Sequence, residues 1–135
     1  RERIVRFCDT NPSARWVENF GPEGYFSILG EVGAMVGNSS SGLLEAPSFA
    51  LPVVNIGSRQ KGRLRAGNVI DVQEFEAGSI LAAIQHALTP GFRAIAAGHE
   101  KFFGDGHASE RLLDLIIHTP LDRRLLDKTF HDLPQ

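Results

Sequence analysis

Residues 34–47 read Ala-Met-Val-Gly-Asn-Ser-Ser-Ser-Gly-Leu-Leu-Glu-Ala-Pro, and the organisation of the chain follows from them. A short apolar run bounded by glycine is typical of a buried strand. The Gly-Asn-Ser-Ser-Ser-Gly segment favours a turn and then a helix start, because such residues satisfy the unpaired amides of a first helical turn. The sequence therefore predicts a strand, a tight turn and a helix from about Ser41 to Phe49. Free amides and a helix dipole attract anions, so we expect a phosphate and ribose site here.

The composition is that of an ordinary globular protein and argues against several classes of function. The 135 residues, of which 42% are hydrophobic and 22% charged, suffice for one domain with its own core. A formal net charge of -2 gives no general attraction to nucleic acid or to anionic membranes. Cys8 is the single cysteine, which argues against a disulfide framework and favours a cytoplasmic setting. The five histidines lack metal-ligand spacing, so we expect no metal. No cofactor is expected either.

Short apolar runs and amphipathic stripes alternate along the chain, which indicates βα units, a parallel sheet and an α/β fold. The predicted strands are 14–20, 34–37, 52–57 and 68–72, and the predicted helices are 1–9, 22–32, 41–49, 74–88, 89–97 and 108–118. In the last helix the predicted buried residues are Leu112, Leu113, Leu115 and Ile116. We expect one domain over 1–118 and a tail or docking helix over 119–135. Because no methionine or cap precedes the first helix, we expect the chain to begin inside a larger protein.

Two loops that follow predicted strands form the candidate site, because ligands on parallel sheets bind at the carboxyl ends of the strands. In the loop at 37–42, Gly42 would let a ligand approach the backbone, and Glu45, one turn beyond, could accept both hydroxyls of a ribose. The loop at 57–67 carries four positive charges: Arg59, Lys61, Arg63 and Arg65. Arginine suits bidentate contact with phosphate. We expect Arg59, nearest the strand, to contact the ligand, and Arg65, farther out in the same loop, not to contribute to ligand binding.

Each candidate also has a purely structural interpretation, which the residues alone leave open. The serines could cap a helix, Glu45 could complement its dipole, and the basic loop could be a solvated surface. Tyr25 and Phe26 fit a core better than a platform for a base. A catalytic serine is rejected, because the nucleophile pattern Gly-x-Ser-x-Gly needs glycines four apart, whereas Gly37 and Gly42 are five apart.

Four motifs occur in the order and spacing of a known family. They are Gly-Asn-Ser-Ser-Ser-Gly-Leu-Leu-Glu-Ala-Pro at 37–47, Pro-Val-Val-Asn-Ile-Gly at 52–57, Arg-Gln-Lys-Gly-Arg at 59–63 and Asn-Val at 68–69. In these motifs the chain resembles the UDP-N-acetylglucosamine 2-epimerases, and the hydrolysing branch that feeds sialic acid synthesis is the closer match. The resemblance runs from about residue 12 to residue 118. The non-hydrolysing branch has an Asp-Ser-Gly-Gly turn with paired glutamates, and this sequence lacks both.

The resemblance implies a GT-B-type enzyme, in which two Rossmann-like domains enclose a cleft and this chain forms most of the carboxy-terminal domain. In the family that domain holds UDP. The resemblance implies that the phosphates contact Ser39, Ser40, Ser41 and Gly42 and that the ribose hydroxyls contact Glu45. It also implies that the uracil lies against the backbone near Tyr25 and that Arg59 approaches the diphosphate or the sugar. The implied reaction eliminates UDP across C1–C2 to a glycal, which water converts to N-acetylmannosamine.

The resemblance also limits what this chain can do alone. The acid and base residues are expected in the absent amino-terminal domain, so no residue here is assigned to catalysis and the fragment should be inactive. The implied partners are UDP or UDP-N-acetylglucosamine and that missing domain, with no nucleic acid and no membrane, and with a homo-oligomer left open. Two other functions stay open: a GT-B glycosyltransferase domain that binds a sugar nucleotide, and a non-catalytic nucleotide-binding module.

Overall fold

The computed structural model describes residues 1–99 and 102–127, which form an α/β fold with a parallel sheet, as predicted. The strands are β1 (Met35–Gly37), β2 (Val53–Ile56) and β3 (Val69–Val72). The helices are α1 (Glu2–Thr10), α2 (Gly21–Glu31), α3 (Ser41–Leu44), α4 (Ala77–Ala87), α5 (Pro90–Ala97), α6 (Ala108–His118) and α7 (Arg123–Leu126), and a 3₁₀ turn covers Ala46–Phe49. None of the described helices is long and apolar enough to cross a membrane.

The three strands lie side by side in the order β1-β2-β3, all parallel. Val53 in the central strand pairs with Met35 on one side and with Val69 on the other. Val53 and Val54 point to opposite faces of the sheet, yet they are only 2% and 0% exposed. A parallel strand covered on both faces reads as a continuous apolar run, which is why Pro-Val-Val-Asn-Ile-Gly predicted a strand here.

Helices cover both faces of the sheet and give a three-layer, Rossmann-like arrangement. On one face, Val54 and Val72 pack with α4 and α5, through Ala83, Ala87 and Phe92. On the other face, Val53 packs with α2 and the 3₁₀ turn, through Leu29, Ala46 and Leu51. Since the strands are parallel, their carboxyl ends meet at one edge of the sheet. The loops after β1 and β2 therefore open at the same edge, as predicted.

The strand predicted at residues 14–20 is wrong. These residues form no regular structure, and Trp16, Val17 and Phe20 are exposed. The described sheet has three strands, and none of them pairs with this segment. A loose apolar alternation gives a strand only where a neighbouring strand supplies hydrogen bonds, and the sequence alone does not show whether one does.

The single helix predicted from Ser41 to Phe49 is also wrong, because it breaks at Glu45. The α-helix α3 has four residues, and the 3₁₀ turn follows it. Pro47 accounts for the break, since it has no amide to donate to the carbonyl of Leu43 and its ring would clash with that carbonyl. A helix this short contributes less dipole than the predicted one, so anion binding here relies more on individual amides.

The chain forms two compact units, one covering Arg1–Phe102 and a second beginning at Phe103. In the second unit, the Arg111 guanidinium hydrogen-bonds the Asp105 carboxylate, with 2.9 Å between Nη1 and Oδ1. That contact, followed by the hydrogen bond from the His107 amide, holds the pKa of the Asp105 carboxyl below its usual range. The domain limit predicted at residue 118 stays a prediction.

The second unit contains the helix predicted at 108–118, which α6 confirms. Its predicted buried face is wrong, because Leu112, Leu113, Leu115 and Ile116 are 58% to 68% exposed. An apolar stripe shows which side of a helix can be covered, but not whether a partner covers it. The predicted tail at 119–135 includes α7, and residues 128–135 lie outside the described part of the chain.

Candidate functional site

The serine turn, residues 38–41, leaves β1 and leads into α3. The hydroxyl of Ser39 accepts a hydrogen bond from the amide of Ser41 at 3.3 Å, whereas the side chain of Ser40, the residue before α3, caps no amide. Within the described ranges, the backbone amides of Ser39 and Ser40 have no protein acceptor. Helix capping therefore does not account for the three serines. Unpaired amides at the carboxyl end of a strand are the donors that an anion site requires.

Tyr25 lies beside this turn. Its hydroxyl hydrogen-bonds the hydroxyl of Ser41, which joins α2 to the start of α3, and its ring packs on the core cluster that contains Leu29. The structure thus brings two predicted site residues into contact. Phe26, by contrast, stacks on Phe49 with ring centroids 5.9 Å apart, but it is 44% exposed, so the prediction that it lies in the core is wrong. A uracil position near the backbone of Tyr25 stays a prediction.

Gly42 is required for helix–sheet packing. A Cβ at this position would lie 2.7 Å from Cγ1 of Val53 and 3.6 Å from the sulfur of Met35. Its amide donates to the carbonyl of Ser39 at 3.3 Å. The reason for a glycine here is therefore the contact between α3 and the sheet, whereas the sequence suggested close approach of a ligand.

Replacing Gly42 by alanine should destabilise the chain by about 1 kcal/mol. Overpacking a core typically costs about 1–3 kcal/mol, and the better helix propensity of alanine offsets up to about 1 kcal/mol of that cost. Gly78→Ala is the matched control, because Gly78 also lies in a first helical turn and a Cβ there would meet nothing within 4 Å. Urea unfolding should show opposite signs for the two variants. Equal stabilisation by both would contradict the packing role of Gly42.

Glu45 follows α3, and its amide donates to the carbonyl of Ser41 at 3.0 Å. The carboxylate oxygen Oε2 is buried without a hydrogen-bond partner, and the side chain forms no ion pair with any described residue. Glu45 stands both at the carboxyl end of α3, where negative charge is unfavourable, and at the start of the 3₁₀ turn, where it is favourable, and its side chain caps no amide of that turn. An unpaired acceptor is destabilising when shielded from water, which is typical of a group that a ligand completes.

The basic loop, residues 57–67, leads from β2 toward β3 without a helix, as predicted. Parallel neighbours usually need a helical crossover. Here Gly57 and Gly62 turn the chain with φ angles of +81° and +80°, a region that residues with a Cβ rarely adopt. Arg59 is exposed, and its side chain forms no hydrogen bond or ion pair with the described residues. An available guanidinium therefore stands near the carboxyl end of β2, the strand that pairs with β1.

Two side chains within the basic loop are engaged by the protein. Gln60 is 2% exposed, and its Nε2 donates to the carbonyl of Asn38 at 2.7 Å. Arg65 forms an ion pair with Asp71 and donates to the carbonyl of Gln60 at 3.0 Å. Its side chain is 28% exposed and ties the loop to β3. That Arg65 does not contact the ligand stays a prediction.

Asn55, a buried polar residue of β2, completes this set of contacts. Its Nδ2 donates to Oδ1 of Asp71 at 2.7 Å. A cavity of about 190 Å³ adjoins the pair, and its lining residues are Asn55, Gly57, Lys61, Arg65, Asp71 and Gln73. Sequence reasoning assigned no role to Asn55, Gln60 or Asp71. The sequence feature that could have indicated Asn55 was a lone amide side chain within an apolar strand.

Among the described residues, no three His, Cys, Asp or Glu side chains are grouped as a metal site requires.

Sequence comparison with known proteins places the chain among sugar-nucleotide 2-epimerases. The chain is 38% identical over 129 residues to a Legionella pneumophila protein named UDP-N,N'-diacetylbacillosamine 2-epimerase (hydrolyzing). A Campylobacter jejuni protein named GDP/UDP-N,N'-diacetylbacillosamine 2-epimerase (hydrolyzing) is 46% identical over 71 residues, and a Neisseria meningitidis protein named UDP-N-acetylglucosamine 2-epimerase is 36% identical over 69 residues.

The extent of these matches differs between the chain and its relatives. The alignments cover 95%, 52% and 51% of this chain, but only 32%, 18% and 18% of the relatives, in the same order. The alignment with the Legionella relative therefore includes almost all of this chain, and the chain spans about a third of that relative's length. The family model described as UDP-N-acetylglucosamine 2-epimerase matches residues 1–117. The chain belongs to the UDP-N-acetylglucosamine 2-epimerase family.

Proposed function

We propose that this chain is the UDP-binding, carboxy-terminal part of a hydrolysing UDP-sugar 2-epimerase. The observation that carries the proposal is the juxtaposition of two strand ends. The unpaired amides of the serine turn follow β1, and the available guanidinium of Arg59 follows the adjacent strand β2. The unpaired carboxylate of Glu45 lies one helical turn away from Ser41.

The candidate groups correspond to the parts of UDP. The diphosphate would be bound by the unpaired amides of Ser39 and Ser40 and by the hydroxyls of Ser39, Ser40 and Ser41, with Arg59 as a bidentate donor. Gly42, whose amide already donates to the carbonyl of Ser39, would adjoin the phosphates. The ribose diol would donate to Glu45, which satisfies the buried oxygen. The uracil would lie against the backbone near Tyr25, whose hydroxyl holds Ser41.

This arrangement suits an elimination reaction in which UDP is the leaving group. Breaking the bond between the sugar C1 and the diphosphate transfers an electron pair to the leaving oxygen, so negative charge accumulates there. Preorganised amides and an arginine stabilise such charge without reorganisation at the moment of reaction. Loss of the C2 proton gives a glycal, and water then adds at C1 while a proton returns to C2 on the opposite face. We assign the acid and base for these proton transfers to the rest of the longer protein.

The sugar is a separate question, because the proposed UDP contacts are common to several UDP-hexosamines. UDP-N-acetylglucosamine, with N-acetylmannosamine as the product, is the first candidate. Two relatives named for N,N'-diacetylbacillosamine favour a second candidate, a sugar with two N-acetyl groups. Supplying both UDP-sugars to the longer protein and identifying the free sugar released distinguishes them. A glycosidic product would indicate a glycosyltransferase, and UDP binding without turnover would indicate a non-catalytic module.

The 135-residue chain should bind UDP and should not release sugar from UDP-N-acetylglucosamine. The reason is that it carries the proposed diphosphate and ribose contacts but, on this proposal, none of the acid and base groups. Titration calorimetry with UDP, and with uridine as the control that lacks phosphates, measures the first part. Turnover by the purified chain would overturn the division of roles, and equal affinity for uridine and UDP would overturn the phosphate site. A cytoplasmic location and a homo-oligomer stay predictions.

A further inference from the structure

We infer that Gln60 is a positioning residue, which sets the separation between Arg59 and the serine turn so that both reach one diphosphate. The inference rests on the proposed function, because it needs UDP as the ligand that both groups share. Gln60 itself is buried and is not proposed to touch UDP.

The position of Gln60 in the chain gives the first argument. It follows Arg59 directly, and its Nε2 donates to the carbonyl of Asn38, the residue directly before Ser39. The 2.7 Å bond thus joins the neighbour of the proposed arginine to the neighbour of the first serine. In the part of the chain that the structure describes, no second hydrogen bond connects the serine turn with the basic loop.

The basic loop depends on Gln60 because it has no regular structure of its own. The carbonyl of Gln60 accepts from the amide of Arg63 at 3.3 Å and from the guanidinium of Arg65 at 3.0 Å. Arg65 is paired with Asp71, which also accepts from Asn55. Hydrogen bonds therefore run from the end of β1, through Gln60, to β3 and β2. All three strand ends are connected around the site.

The buried side-chain amide of Gln60 is energetically unfavourable in part, which packing alone does not explain. Oε1 of Gln60 is buried without a partner, which destabilises the fold. A methionine has a similar volume and would fill the same space without a buried polar atom. Packing therefore does not require glutamine at this position. What the amide adds is the bond to Asn38, and so a defined distance between the two loops.

The test replaces Gln60 by methionine in the 135-residue chain and compares UDP with uridine by titration calorimetry. We expect the affinity for UDP to fall about tenfold, the usual result of losing one well-placed hydrogen bond, and the affinity for uridine to stay within about twofold. In an Arg59→Lys background the same change should cost much less, because its effect passes through Arg59.

Asn68→Leu is the matched control. Asn68 is another buried amide whose Nδ2 donates to a backbone carbonyl, that of Leu51, at 2.9 Å. Asn68 lies directly before β3 and Leu51 shortly before β2, so this bond lies at the edge of the sheet opposite the proposed site. The control should lower stability without changing the ratio of UDP to uridine affinity. If Gln60→Met does not fold, Gln60→Glu carries the same expectation, because it keeps the shape and turns a carboxylate oxygen toward the carbonyl of Asn38.

The outcomes separate this inference from the proposed function. If the wild-type chain does not bind UDP, both the proposed function and the positioning role of Gln60 are wrong. Wild-type chain that binds UDP, together with a Gln60→Met variant of unchanged UDP affinity, would overturn the positioning role alone. A parallel loss of UDP and uridine affinity would show a general structural role and would also overturn it.

Discussion

Replacing Arg59 by alanine should weaken UDP binding by about 1.5–3 kcal/mol, the range for hydrogen bonds to charged groups. The guanidinium is exposed and has no protein partner among the described residues, so its removal leaves no group of the fold unpaired. Stability should therefore change by no more than about 0.5 kcal/mol. Arg59→Lys should recover only part of the affinity, because lysine keeps the charge but loses the planar pair of donors.

Arg63→Ala is the matched control for Arg59. Arg63 lies in the same loop, is also exposed, and its guanidinium has no partner within the described ranges. The two variants change the net charge equally, so a difference in UDP affinity measures contact and not general attraction. Arg65 is unsuitable as a control, because its guanidinium holds Asp71 and the carbonyl of Gln60. If wild type and both alanine variants bind UDP with equal affinity, Arg59 is a solvated surface residue that does not contact UDP.

In the longer protein, the loss at Arg59→Lys should fall more on kcat than on KM. The charge on the diphosphate grows as the bond to the sugar breaks, so a bidentate donor stabilises the transition state more than the bound substrate. Steady-state kinetics with UDP-N-acetylglucosamine measures the split. A rise in KM at constant kcat would show that Arg59 binds the substrate and the transition state equally.

Glu45→Gln should weaken UDP binding by about 1–3 kcal/mol, because on the proposed function the carboxylate accepts both ribose hydroxyls, whereas an amide offers one oxygen and a repelling N–H group. The change is nearly isosteric, and the wild-type Oε2 has no protein donor to lose. The free variant should therefore be as stable as wild type, or more stable. Calorimetry of UDP binding and urea unfolding of the free variant measure the two effects.

The control for Glu45 is a change in the ligand. UDP that lacks the 2′ and 3′ hydroxyls should bind wild-type chain weakly, and Glu45→Gln should change that affinity little. The double change in protein and ligand isolates their interaction. Equal losses for UDP and its dideoxy analogue would assign Glu45 to the local fold at the break between α3 and the 3₁₀ turn.

The sequence determined the order of strands and helices, the parallel sheet and the position of both site loops. These features follow from local patterns: a continuous apolar run for a strand buried on both faces, a stripe for a helix, and Gly, Ser and Asn where the chain turns. The same patterns placed the serine turn and Arg59 at strand ends. They were wrong at residues 14–20 and on the face of α6, because an apolar pattern does not reveal whether a neighbouring element covers it.

Only the tertiary structure decided what the polar residues of the site do. Gln60 and Arg65 lie in a sequence that is otherwise a solvated basic loop, yet one is buried against Asn38 and the other is bound to Asp71. Gly42 meets Val53, and Glu45 is left without a partner where Pro47 breaks the helix. Each of these facts depends on how the side chains pack in the folded chain. A polar side chain has the same composition whether water or protein surrounds it, so only the packed fold distinguishes a solvated group from one that shapes a site.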